Sequence, residues 1–81
     1  MNQKRVTKDE RYLITLYEEA KKNGDPFLEM DKYHIGQLMG QNDKSVDNIV
    51  RMLTQTNFIR QSDDKLVYAT KQGENLVLSL S

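Results

Sequence analysis

Apolar residues recur along most of this chain with helical spacing, and with alternating spacing over one stretch in its second half. Leu13, Leu16, Tyr17 and Ala20 stand at i, i+3, i+4 and i+7, while Glu18, Glu19, Lys21 and Lys22 fall to the side or outside. That spacing predicts an amphipathic helix with one core-facing stripe. "TKDE" at residues 7–10 supplies its start as a capping box, Thr7 and Glu10 each satisfying an orphan amide. "NGDP" at residues 23–26 ends it, with Gly24 suited to a left-handed cap and Pro26 blocking continuation. "FLEM" at residues 27–30 is too short for a helix and reads as an extended segment.

Asp31 then has the chemistry of an N-cap for a brief helix carrying Ile35, Leu38 and Met39 and closed by Gly40. After Gln41 and Asn42 a second cap, Asp43, is expected to open a longer helix over residues 44–55, with Val46, Ile49, Val50 and Leu53 on its buried face. Residues 58–61 and 66–69 are β-prone and flank "SDDK", a polar connection of hairpin length. Thr70 is expected to cap a last short helix in "KQGENLVLSL", although Gly73 inside it costs about 1 kcal/mol relative to Ala. The expected order is helix, short strand, helix, helix, strand, strand, helix: an α+β domain spanning residues 1–81, with 1–6 a loose N-terminal arm.

Composition narrows the chemistry. Without cysteine there is no disulfide frame, thiolate metal site or thiol nucleophile. One histidine, His34, cannot build a metal cluster, and Asp25, Glu29 and Asp31 lack calcium-loop spacing. Gly36, Gly40 and Gly73 form no phosphate-binding loop, and no Ser, Thr or Lys has a recognisable base beside it. Neither a cofactor nor an enzymatic activity is expected. The longest apolar run, "LVL", is far short of the roughly 20 residues of a spanning helix, and no apolar stretch follows "NQKR". Cytoplasm or nucleoid is the expected compartment.

Charge bears directly on the longer helix. At about 100° per residue, Lys44, Asn48, Arg51 and Gln55 fall within a narrow arc opposite the core face. Arg pairs bidentately with guanine, Asn and Gln with adenine, and Lys with guanine or a phosphate. Any exposed helix face is polar, so the stripe also fits simple solvation. That helix nevertheless holds no Glu, whereas the first holds Glu10, Glu18 and Glu19. Against nucleic acid stand Asp43 and Asp47 on the same helix, Asp63 and Asp64 in the turn, and a net charge of zero, from twelve cations and twelve anions.

The two helices joined through Gly40 to Asn42, followed by "FIRQSDDKLVYATKQGENL", resemble the winged helix-turn-helix domains, in particular small bacterial regulators of the MarR type. The resemblance covers about residues 7–80. It implies a three-helix core, a β-hairpin wing and a short C-terminal helix, with residues 44–55 in the major groove of duplex DNA and residues 58–69 as the wing. On that reading Lys44, Asn48, Arg51 and Gln55 contact the groove, and Ser45, Arg60 and Lys65 the backbone. Terminal helices in that family commonly make dimers, so Leu76, Val77, Leu78 and Leu80, with the first helix, form the expected homodimer surface; the same segment also suits closing the core. Winged helices serve as protein-docking modules too. That role, without DNA binding, is the alternative, and an accessory part of a phage, plasmid or larger complex is a third.

Overall fold

The computed structural model describes residues 6–80, so of the expected N-terminal arm only Val6 falls among the described residues. Thr7 and Glu10 form the capping box: the Glu10 amide donates to Thr7 Oγ1 at 3.1 Å and the Thr7 amide to Glu10 Oε1 at 2.9 Å. Helix α1 runs Lys8–Lys22 from this cap. Its buried face is Leu13, Leu16, Tyr17 and Ala20, joined by Tyr12, whose hydroxyl donates to the Lys32 carbonyl at 2.8 Å. Burying a phenol needs such a partner, because an unpaired hydroxyl in the core is costly. At the other end Gly24 takes φ +122°, the backbone state that glycine adopts freely.

The extended segment lies later than expected. Asp25 turns the chain, its Oδ1 accepting from the Phe27 amide at 2.8 Å and its carbonyl from the Leu28 amide at 3.0 Å. Pairing begins only at β1, Met30–Asp31. Asp31 also caps α2, Lys32–Leu38, accepting from the Tyr33 and His34 amides at 2.8 and 3.3 Å. Within α2 the expected stripe is only partly buried: Ile35 is fully buried, Met39 just after the helix is half-buried, and Leu38 is 50% exposed. Lys32 and Gly36 take the other buried positions, and at Gly36 α3 crosses so closely that a Cβ would overlap Val46 Cγ2.

Helix α3, Asp43–Gln55, is capped by Asn42, not by Asp43: the Asn42 carboxamide oxygen accepts from the Ser45 amide at 2.9 Å. The helix therefore starts one residue earlier than expected, and Asp43 becomes its first residue, where the helix dipole favours a negative charge. Val46, Ile49, Val50 and Leu53 are buried.

Strands β2, Ile59–Gln61, and β3, Leu66–Ala69, form the hairpin, and β1 adds to the far side of β3, giving a three-stranded antiparallel sheet in the order β1-β3-β2. Phe58, expected in the strand, instead turns the chain: its amide donates to the Leu53 carbonyl, and its own carbonyl accepts from the Thr70 amide. Ile59, Val67 and Ala69 face inward onto the helices. The last helix, α4, is Lys71–Leu80. Thr70 Oγ1 accepts from the Gly73 amide at 3.0 Å and donates to the Asn57 carbonyl at 2.7 Å, so one hydroxyl caps α4 and ties it to the end of α3. Gly73 earns its place in mid-helix, since a Cβ there would run into the Phe58 carbonyl. One core joins residues of all four helices and of β2 and β3, and burial of each large aliphatic in it contributes about 1.5–3 kcal/mol.

Candidate functional site

Helix α3 presents Lys44, Asn48, Arg51 and Gln55 on one exposed face, because burial of Val46, Ile49, Val50 and Leu53 fixes its rotation. Arg51 donates from its guanidinium to the Asn48 carboxamide oxygen, so two side chains of the stripe are held together one turn apart. The two acids of α3 lie toward one flank of this face. Asp47 Oδ1 accepts from the Tyr33 hydroxyl at 2.9 Å and faces Lys32 Nζ at 3.3 Å.

Lys32 is the buried cation of the molecule's described part, its side chain 11% exposed against 52% for Asp47. Its backbone is held on two further sides, the amide donating to the Lys65 carbonyl at 2.8 Å and the carbonyl accepting from Tyr12. The ammonium lies 5.1 Å from the centre of the Tyr33 ring, within cation–π range. Asp47 is thus drawn sideways into a cluster from α2 and partly neutralised before it reaches the outer stripe. The Tyr33 hydroxyl is held above the ordinary phenol range, first because it donates to the Asp47 carboxylate and second because of partial burial. Tyr12 is pushed higher still, by burial first and then by the Asp31 and Asp47 charges.

Between this cluster and the sheet lies an open groove of about 420 Å³, lined by Lys32, Tyr33, Asp47, Arg51, Gln55 and Gln61 among others. Gln61 was not among the residues expected at the site. Strand alternation puts it on the same side of β2 as Ile59, a pairing legible in the sequence, and burial of Ile59 makes that the helix side.

The remaining expected residues scatter. Ser45 sits on the other flank of α3, half-buried, its hydroxyl donating to Gln41 Oε1 at 2.7 Å. Lys65 stands in the hairpin turn, in a groove of about 480 Å³ shared with Asp31, Asp63, Asp64 and Leu66. Arg60, opposite Tyr68 in the register, faces the outer side of the sheet and is not brought together with the α3 stripe. His34 is exposed on α2. Among the described residues no three His, Asp or Glu side chains stand close enough to hold a metal ion, and no helix is long and apolar enough to cross a membrane.

On the opposite flank of α3 from Asp47, Met52 is 49% exposed. A small groove of about 170 Å³, lined by Met52, Leu53, Phe58 and Leu76 together with Thr7 and Glu10, opens there. Comparison of the chain with protein-family models, with curated proteins and with solved structures returned no match.

Proposed function

We propose that this chain is a winged helix-turn-helix domain that binds duplex DNA as a small transcriptional regulator, with α2 and α3 as the helix-turn-helix and the β2–β3 hairpin as the wing. The observation that carries this reading is the α3 face: two cations and two carboxamides exposed in one stripe, with Asp47 turned aside onto Lys32 and Tyr33. Gly36 supports it by allowing the close crossing of α2 and α3 that a tight helix-turn-helix needs. In the proposed complex Arg51, Asn48 and Gln55 read base edges, Lys44 meets a base or phosphate, and Ser45 and Lys65 approach the backbone. Arg60, on the outer side of the sheet, is given no part in reading the groove. Neutral net charge makes the sequence-independent share of affinity small.

Selection of bound fragments from a genomic duplex library, followed by titration of the enriched sequence, tests the reading. Asn48→Ala with Arg51→Ala is expected to weaken binding by at least about 10-fold, each good bidentate contact being worth about 1–3 kcal/mol, with thermal stability unchanged. If no duplex is bound even at low ionic strength, the DNA reading fails.

A second reading draws on the apolar end of the domain at α4, where Leu76 lines the groove with Met52 and Phe58 and Leu78 is exposed on the other flank of the helix. Under it the domain is a protein-interaction module; combined with the first, this end makes the homodimer that pairs two recognition helices. Leu78→Glu separates the cases by sedimentation: a dimer that dissociates while duplex affinity falls supports the combined form, whereas a chain that is monomeric throughout removes the dimer.

A further inference from the structure

The outer face of the sheet is divided by charge. Toward the hairpin tip it carries Asp31, Asp63 and Asp64 around Lys65 and Leu66. Toward α4 it carries Phe27, Arg60, Tyr68 and Lys71 around an open groove of about 460 Å³ whose lining includes no carboxylate. Alternation along the strands builds this second patch: Ile59, Val67 and Ala69 point into the core, which leaves Arg60 and Tyr68, direct cross-strand partners, side by side outside. Phe27 is brought to the same groove by the Asp25 turn and is 39% exposed. Lys71 opens α4, its ammonium 2.8 Å from Glu74 Oε1 and its side chain 76% exposed. The Arg60 guanidinium makes no hydrogen bond or ion pair with the described residues.

We propose that this groove binds single-stranded nucleic acid, with an unstacked base against Tyr68 and Phe27 and the adjoining phosphate on Arg60 and Lys71. Two aromatic rings beside Arg60, with Lys71 at the rim sharing its charge with Glu74, match a ligand that alternates flat rings with negative charge. The groove crosses the sheet from the loop before β1 to β2, so an occupant lies over the face and does not add to an edge as an extended peptide would. It is open, which suits a short stretch of polymer better than an enclosed small molecule. The acidic tip limits the footprint to the α4 end. None of these residues lines the groove beside α3, so the proposal stands independently of the duplex reading.

Titration of the full chain with a labelled oligothymidylate of about ten nucleotides at low ionic strength tests it. Binding is expected, with affinity falling at least about 10-fold in Phe27→Ala with Tyr68→Ala, a comparable loss in Arg60→Ala, and retention in Tyr68→Phe, which keeps the ring. Asn48→Ala with Arg51→Ala should leave it unchanged; if that variant loses the oligonucleotide as well, a single site on α3 accounts for all binding and the proposal falls. Absence of oligothymidylate binding overturns it, as does equal competition by an oligoglutamate of the same charge, which would make the groove a general polyanion or acidic-peptide site. Equal affinity for free thymidine monophosphate would overturn the strand as the occupant.

Discussion

The outer face of α3 and the tip of the β2–β3 hairpin are both exposed and polar, and Asp47 beside the first and Asp64 at the second use their carboxylates in opposite ways. Beside the α3 face, Asp47 is bound by Tyr33 and paired with Lys32, so its charge is spent on joining α2 to α3. At the tip, Asp63 shapes the turn by accepting from the Lys65 and Leu66 amides at 2.9 and 3.2 Å, while Asp64 contributes only its carbonyl, which accepts from Gln61 Nε2 at 2.9 Å. The lesson is that a count of acids near a surface says little about its potential until the partner of each acid is known. A residue-by-residue tally ranks Asp47 and Asp64 alike; the tertiary partners separate them.

The junctions that hold the two regions are where the largest effects are expected. Gly73→Ala drives a methyl into the Phe58 carbonyl, a backbone atom that cannot rotate away, and should destabilise the domain by on the order of 3 kcal/mol in denaturant unfolding. Gly36→Ala meets the Val46 side chain instead, and about 2 kcal/mol is expected, with the α3 face displaced and the hairpin retained in amide-exchange measurements. A Gly73→Ala protein as stable as the parent would show that α4 has freedom to back off the hairpin.

The comparison between acids is sharpened by neutralising each in turn. Asp47→Asn leaves the buried Lys32 ammonium without its counter-ion and should cost about 1 kcal/mol, a figure kept low because Asp47 is half exposed. Asp64→Asn should fall within about 0.5 kcal/mol of the parent, as surface changes without partners do, while raising the affinity of the proposed duplex complex a few-fold at low salt. Equal stability losses in the two variants would erase the distinction.

The smallest effect is expected from pH. Glu74 is held below the ordinary carboxylate range, first by Lys71 and then by the Tyr17 hydroxyl, which donates at 2.8 Å and anchors α4 to α1. Because the folded pKa is the lower one, this contribution is complete above the ordinary carboxylate range and is lost as pH falls through the depressed value. Acid unfolding curves of Glu74→Gln should therefore lack part of the stability decrease seen in the parent on acidification.

Much of this protein was written locally. The capping box at Thr7, the Asp31 cap, the helix stop at Gly24, the buried faces of α1 and α3, the hairpin and the Thr70 cap all rest on signals contained within about four residues or one strand period, which the chain carries before it folds. Local ambiguity explains the near misses: Asn42 and Asp43 are both good caps, so geometry decided between them, and Phe58 has strand propensity but lies where the chain must turn. The polar stripe of Lys44, Asn48, Arg51 and Gln55 was equally legible, since helix rotation follows from its apolar positions. What tertiary structure alone decided was partnership across distance. Lys32 with Asp47, Tyr12 with the Lys32 carbonyl, Gly36 against Val46 and Gly73 against Phe58 join residues whose meeting depends on how helices cross and where the sheet docks. The same docking set Gln61 beside α3 and Arg60 on the outer face, because strand alternation becomes a choice of side only once one face of the sheet is buried.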